Sequence, residues 1–371
     1  MDPPMDQPGP LNPGKSERER ALLQYALYLK EGAFLSEASA LTFGAAKQAI
    51  TLDAIAKLAL SQGKLPKKAK EKALLRLALY ELYFMSAPRY AVGEEWVKLA
   101  KKHTFGGFDK FLNALIRNLP EEKPYFDDLS LDYSYPKELI DELLALYPKD
   151  QVIKMLEVGN LPAETQARLR PGFEVKRLEK GEIAEAIENP GLYLMNRTPT
   201  KLIKTLSEKI PAPETILDLC AAPGGKLLAL HDKFPEAKLF ANDVSEKKLD
   251  KIRENMGMYG FEATLTEGRG EDFSEEKQFD LVVLDVPCSN TGVLAKHPEA
   301  RFRESDLEEL QAKLFEKAKR LVKPGGHIFY MTCSILPREN PKEKPLFEIQ
   351  VLPLEVGVDG GYGAIFGTGL V

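Results

Sequence analysis

Hydrophobic residues recur every three or four positions through residues 17–125, then give way after residue 196 to short apolar runs separated by amphipathic stretches. In the first region Ala21, Leu22 and Leu23 are followed by Ala26, Leu27 and Tyr28, and Leu74, Leu75, Ala78, Leu79, Leu82 and Tyr83 repeat the spacing. That period puts apolar side chains on one face of successive helices, so the region reads as an all-α domain. Residues 1–16, rich in Pro, Gly and Asp and without periodicity, read as a disordered tail. Residues 126–195 are mixed, with a helix pattern at 137–146 and several proline breaks, and read as a connecting subdomain. From 196 to 371, strand patterns at 215–219, 238–241, 263–266, 279–284 and 327–331 alternate with helical ones. Such alternation predicts parallel βαβ units and a doubly wound α/β sheet.

A chain of 371 residues with 44% hydrophobic content can bury more than one core. Its net charge of −5 gives no global attraction to nucleic acid, so any such binding falls to local patches. Two basic runs qualify: Lys64, Lys67, Lys68, Lys70, Lys72 and Arg76, and then Lys98, Lys101 and Lys102. Each is expected to be either a solvated helix face or a phosphate-tracking patch. The three cysteines, Cys220, Cys288 and Cys333, show no C-x-x-C spacing and no neighbouring paired histidines, which argues against a metal site or a disulfide framework. Reduced thiols suit a cytoplasmic protein. No charged-then-apolar leader opens the chain and no apolar span reaches membrane length, so no membrane partner is expected.

The first strand pattern runs into Leu217, Asp218, Leu219, Cys220, Ala221, Ala222, Pro223, Gly224, Gly225 and Lys226, after which the chain looks helical. Small residues and two glycines at a strand-to-helix turn let a ligand approach the backbone. The run lacks both G-x-G-x-x-G and G-x-x-x-x-G-K-[ST], which weakens dinucleotide and nucleoside-triphosphate readings. The second strand ends at Asp243, where a carboxylate can accept both hydroxyls of a ribose, and Glu267 follows the third. An adenosine without phosphates fits best, and S-adenosylmethionine is the common one. The plain alternative is an ordinary tight βα connection, which the acid at the next strand end disfavours. Asp218 is expected either to cap the turn or to touch the ligand. Cys220 reads as a packed small residue.

Cys288 follows the strand pattern 279–284, and Cys333 follows 327–331. Carboxyl ends of strands line the crevice of an open α/β sheet, so two thiols there can face one pocket. One such cysteine would read as a buried strand-end residue; two in these contexts point to thiolate chemistry. Asp285 lies beside the first, and spacing alone does not separate the roles of the two thiols.

The runs LDLCAAPGGK, FDLVVLDVPCSNTGV followed by HPEARF, and GGHIFYMTCSILPREN resemble, in order and spacing, the nucleotide-binding, Pro-Cys and Thr-Cys motifs of RNA cytosine-5 methyltransferases of the NOL1/NOP2/Sun (Fmu) family. The likeness covers about residues 196–340. Upstream, LLRLALYELYFM and FDKFLNALIRNL resemble the NusB-like helical domain of the bacterial small-subunit ribosomal RNA methyltransferase B branch. The resemblance implies a Rossmann-like, S-adenosylmethionine-dependent methyltransferase domain preceded by an all-α NusB-like domain, acting as a monomer on small-subunit (16S) ribosomal RNA. Its cofactor contacts fall on Cys220, Ala221, Ala222, Pro223, Gly224, Gly225, Lys226, Asp243, Glu267 and Asp285. Of the catalytic trio, it makes Cys333 the nucleophile, Cys288 the residue of product release, and Asp285 their carboxylate. Two cysteines and a carboxylate suit a base whose carbon 5 becomes nucleophilic only after a thiolate adds to carbon 6. Such a base must leave its stack, which favours single-stranded or loop RNA.

The chain departs from the family pattern in three places. Residues 162–190 are shorter than the usual small RNA-binding subdomain, Val286 and Asn290 replace small residues around Pro-Cys-Ser, and the chain after Asn340 is abbreviated and lacks a Phe-Phe pair and a Lys. His297 is expected to shape the loop after Cys288, and Arg301 and Arg303 to meet either phosphate or solvent. Rival readings are a non-catalytic NusB-like RNA-binding or assembly factor, and a methyltransferase acting on transfer RNA or DNA. Retention of Asp243, Asp285, Cys288 and Cys333 together argues against the first.

Overall fold

The computed structural model describes residues 16–32, 39–60, 63–274, 278–303 and 306–367. The expected tail therefore lies outside the described residues except for Ser16, whose hydroxyl accepts from the Glu19 amide at 3.2 Å and caps the first helix. The chain forms two compact units, one of residues 1–152 with 297–302, the other of residues 153–296 with 303–371.

The first unit is helical. Its principal helices are Glu17–Glu31, Ala40–Lys47, Ala49–Leu58, Ala69–Phe84, Arg89–His103 and Phe108–Asn118, followed by Leu129–Tyr133 and Lys137–Leu146. The three-to-four spacing seen in the sequence becomes one core: Leu22, Tyr25, Leu52, Leu74, Leu75, Ala78, Trp96 and Leu112 are fully buried within it. Each large apolar side chain so placed contributes roughly 2 kcal/mol. The helix pattern at 137–146, read as part of a connecting segment, is a helix of this unit.

The second unit carries two sheets. Strands β1 (Thr165–Leu169), β2 (Val175–Leu178) and β3 (Leu192–Leu194) form a small antiparallel sheet in the order β2-β1-β3. The shortened segment thus keeps a sheet of its own. Fully buried Arg168 on β1 and Arg170 just after it share Asp232, each at 2.7 Å.

The large sheet contains β4 (Thr215–Asp218), β5 (Lys238–Asp243), β6 (Ala263–Glu267), β7 (Phe279–Asp285), β8 (Val322–Thr332), β9 (Phe347–Val351) and β10 (Gly361–Gly367). Their order is β6-β5-β4-β7-β8-β10-β9. The first five are parallel, while β10 runs antiparallel to β8 and to β9. Alternate residues of the central strands enter different cores: Ile216, Leu281, Val283, Phe329 and Met331 lie in one, and Leu217, Val282, Leu284, Ile328 and Tyr330 in the other. Burial on both faces explains why these strands read as unbroken apolar runs. Helices Arg197–Ser207, Gly225–Lys233 and Glu246–Tyr259 cover the first face through Leu202, Leu228 and Ile252, and helix Glu308–Leu321 covers the second through Leu314 and Phe315. The chain turns back on itself between β4 and β7, the place where an open α/β sheet binds its ligand. Among the described residues no helix is long and apolar enough to cross a membrane.

Candidate active site

Residues 219–224 leave β4 and enter helix Gly225–Lys233 through Gly224, whose φ of 96° favours glycine. Closeness rather than torsion explains Gly225, since a Cβ there would come within 2.6 Å of the Tyr193 ring. Asn242 at the end of β5 holds the turn open, its side-chain amide donating to the carbonyls of Leu219 at 3.1 Å and Gly268 at 3.0 Å. Asp243 accepts from the Ala222 amide at 3.0 Å and from the Val244 amide at 2.8 Å. Each of its oxygens retains a lone pair for a hydroxyl donor. Glu267 is exposed at the end of β6 and accepts from the Glu246 amide at 3.2 Å.

Below this turn lies Asp218, only 1% exposed. One of its oxygens accepts from the Cys220 amide at 3.3 Å, while the buried Oδ2 has no hydrogen-bond partner among the described residues. Burial, reinforced by the nearby Asp285 charge and opposed by Lys226, pushes this carboxyl up to about 7. Cys220 has its thiol raised by burial and by the surrounding carboxylates, which makes it a poor nucleophile. Lys226 pairs with Asp285, and although burial works against its charge, Asp285 and Asp218 raise its pKa. An orphaned buried carboxylate oxygen, a glycine turn and a strand-end acid fit an adenosine ligand bearing a cationic group. Asp243 and Glu267 would serve its sugar and base end, and Asp218 its charged end.

Strands β7 and β8 are parallel neighbours with Asp285 in register with Met331, so the residues that follow each strand emerge side by side. Cys288 and Cys333 consequently meet, their Sγ atoms 2.8 Å apart. The Asn290 carboxamide oxygen lies 2.8 Å from the Cys333 sulfur and 3.9 Å from that of Cys288. The hydrogen bond with Cys288, burial and the Asp285 charge all push the Cys333 thiol well above its usual range, with Lys226 pulling it back. Buried Glu339 orders the Cys288 loop by accepting from the Ser289 amide at 3.1 Å, and Gln311 donates to the Pro287 carbonyl at 2.8 Å. Asp285 thus links the two halves of the site, paired with Lys226 on one side and acting on Cys333 on the other.

Other residues singled out by the sequence lie elsewhere. Arg301 is 3% exposed within the helical unit, donates to the carbonyls of Lys47 at 2.9 Å and Ser134 at 3.3 Å, and stacks over the Tyr135 ring. It is therefore no phosphate contact. Arg303 is exposed. His297 sits 3.1 Å from buried Glu299. In the first basic run Arg76 is drawn inward to Asp53, at 2.8 and 2.7 Å, whereas Lys64, Lys67, Lys68 and Lys70 are exposed. Lys98 is paired with Glu94 and Lys102 with Glu19. Sequence reasoning missed Asn242, Glu339 and the contact made by Asn290; only Asn290 carried a signal, as a polar residue where the family pattern has a small one. Among the described residues no group of three or more His, Cys, Asp or Glu side chains is arranged to hold a metal ion.

Comparison with known proteins agrees with this architecture. The family model for 16S rRNA methyltransferase RsmB/F matches residues 208–345, and that of the NusB family matches residues 13–121. The chain is 30% identical over 315 residues to the ribosomal RNA small subunit methyltransferase B of Erwinia tasmaniensis, covering 74% of this chain and 73% of that protein. It is 28% identical over 382 residues to the protein of the same name from Vibrio cholerae serotype O1, covering 87% of each. The crystal structure of PH0851 shares the fold with a TM-score of 0.74, covering 95% of this chain and 99% of that one at 20% identity. The activity of this family is methylation of cytosine carbon 5 by S-adenosylmethionine. A NusB-type helical domain thus precedes a Rossmann-like methyltransferase domain, and the chain belongs to the RsmB/F family of 16S rRNA methyltransferases.

Proposed function

We propose that this protein binds S-adenosylmethionine at the Gly224, Gly225 and Asp243 turn and methylates carbon 5 of a cytosine in small-subunit ribosomal RNA, in the cytoplasm. The observation that carries the reading is the pair of sulfurs 2.8 Å apart next to the Asp285–Lys226 ion pair. Cytosine carbon 5 is too weak a nucleophile to take a methyl group directly, so the ring must first be activated at carbon 6. Cys333, as thiolate, forms the bond to carbon 6. As the thiolate adds, negative charge reaches nitrogen 3 and is neutralised by a proton taken up there; Asp285, paired with Lys226, accepts a hydrogen bond from that N3–H. The bound cofactor supplies an electrophilic methyl group. Cys288 then removes the proton from carbon 5, the electron pair of that C–H bond re-forms the ring double bond, and the bond from carbon 6 to Cys333 breaks.

The family resemblance, not the surroundings, divides the labour between the thiols: both are half-buried, and Cys288 sits on a loop held by Glu339, close enough to serve the same ring. Incubating the protein with labelled S-adenosylmethionine and either small-subunit ribosomal RNA or transfer RNA, then digesting to nucleosides, tests the reading. The expected product is 5-methylcytidine from the ribosomal RNA. Label only in transfer RNA would transfer the activity to that substrate, and label in no RNA would favour a non-catalytic assembly factor.

A further inference from the structure

We infer that Asn290 is a positioning residue for the attacking thiol: its carboxamide oxygen accepts the S–H of Cys333 and holds that sulfur, protonated, beside Cys288 in the resting enzyme. The inference rests on the reading of Cys333 as nucleophile. Its first support is distance, 2.8 Å from the Cys333 sulfur to the Asn290 oxygen against 3.9 Å from Cys288.

The second support is how firmly the carboxamide is placed. Asn290 has φ of 61°, a left-handed conformation that Asn tolerates better than most residues. The residues on either side of it are tied to the chain around Cys333. Thr291 Oγ1 accepts from the Ile335 amide at 3.1 Å, and the Gly292 amide donates to the Cys333 carbonyl at 2.8 Å. On the other side, Ser289 is held through its amide to Glu339 and through its hydroxyl to Thr291 at 3.1 Å. The two backbones approach closely here, since a Cβ on Gly292 would meet the Cys333 carbonyl oxygen at 2.6 Å. A side chain rising from a loop so fixed is pre-organised toward its partner sulfur. The small residue of the family pattern would leave the sulfur without this acceptor.

The chemical consequence concerns the proton. A carbonyl-type oxygen accepts from a thiol but offers nothing to a thiolate, so it stabilises the neutral form. The titratable and charged groups facing Cys333 are Cys288 on the loop that carries Asn290, Asp285 at the end of β7 and Lys226 on helix Gly225–Lys233, with Asp218 behind Lys226. The first two favour the thiol and Lys226 the thiolate. All remain when Asn290 alone is changed, so a difference between variants isolates its contribution.

The test follows carbamidomethylation of Cys333 by iodoacetamide against pH in the full-length protein, with no RNA or cofactor, read on the Cys333 peptide by mass spectrometry. Glycine accepts the left-handed backbone, so Asn290→Gly removes the acceptor and preserves the turn. Its alkylation midpoint is expected about half to one pH unit below wild type, the shift that corresponds to losing one ordinary hydrogen bond. Asn290→Asp keeps the shape, adds a negative charge at the same place and is expected to move the midpoint upward. An unchanged or higher midpoint in Asn290→Gly, at unchanged melting temperature, overturns the inference. So does an Asn290→Asp protein that titrates like wild type, which also decides the matter if the glycine variant fails to fold. Alkylation reads the contact whether or not the chain methylates RNA. An inactive wild type with shifted titrations would therefore remove the proposed function while leaving the Asn290 contact standing.

Discussion

The sulfurs of Cys288 and Cys333 lie 2.8 Å apart although 45 residues separate them in sequence. What joins them is the parallel pairing of β7 and β8, with Leu284 opposite Tyr330 and Asp285 opposite Met331, so that both chains leave the sheet at the same level. In the proposed mechanism one flat ring touches both sulfurs in turn, one adding to carbon 6 and the other removing the proton from the adjacent carbon.

Asp243 makes two backbone hydrogen bonds and, in the proposed site, also holds a ribose. Asp243→Ala should weaken S-adenosylmethionine binding roughly tenfold to a hundredfold, the range for a lost charge-assisted hydrogen bond. Calorimetry on a variant shown to be folded measures this, and unchanged affinity would remove the ribose role.

Asp218 gives the protein without cofactor a defined pH dependence. Between its ordinary value of 3.8 and its folded value of about 7, the folded carboxyl keeps a proton that the unfolded chain has released. Stability from this group is therefore fully present below the lower value and is lost as pH rises toward 7, by on the order of a few kcal/mol. Thermal melts from pH 4 to 8 should show this decline in wild type and a flatter profile in Asp218→Asn. Equal slopes would contradict it.

Lys64, Lys67, Lys68 and Lys70 are exposed, with Lys68 3.2 Å from Glu71, and are either a solvated face or a phosphate-tracking patch. Replacing all four by Ala should weaken RNA binding and flatten its salt dependence by about 0.7 per lost contact on a single strand. Affinity measured at several salt concentrations tests this, and an unaltered slope would assign these lysines to solvent.

Arg76, in the same stretch of sequence, should behave differently. It is bound through two nitrogens to Asp53 and through a third to Tyr25, so Arg76→Met should cost about 2–4 kcal/mol of stability and leave the salt slope alone. Denaturant unfolding beside the same binding assay separates the two effects.

These contrasts show what the sequence carried and where it stopped. Strand positions and the two thiols were legible because apolar runs and motif spacing are local, and the parallel βαβ rule then carries strand ends to one edge. Nothing local marks Arg76 as inward-facing, since its partner Asp53 belongs to another helix. Arg301 likewise becomes a buried residue only through the carbonyls of Lys47 and Ser134, more than 160 residues earlier. The antiparallel pairing of β10 with β8 and β9 breaks the βαβ alternation that made the earlier strands readable. Asn242 and Glu339 work through backbone groups brought near by folding, a role that residue type does not announce.

The central claim is that Cys333 forms the bond to RNA and Cys288 releases it, and denaturing gels of protein incubated with substrate RNA and S-adenosylmethionine test it most directly. Cys333→Ala should form no covalent complex, because in the proposed division of labour the neighbouring Cys288 acts on the proton at carbon 5 and does not add to carbon 6. Cys288→Ala should still add to the base and accept the methyl group but fail to eliminate, so a protein–RNA adduct should accumulate. A stable adduct with Cys333→Ala and none with Cys288→Ala would reverse the two roles, and no adduct from either would contradict the thiolate mechanism.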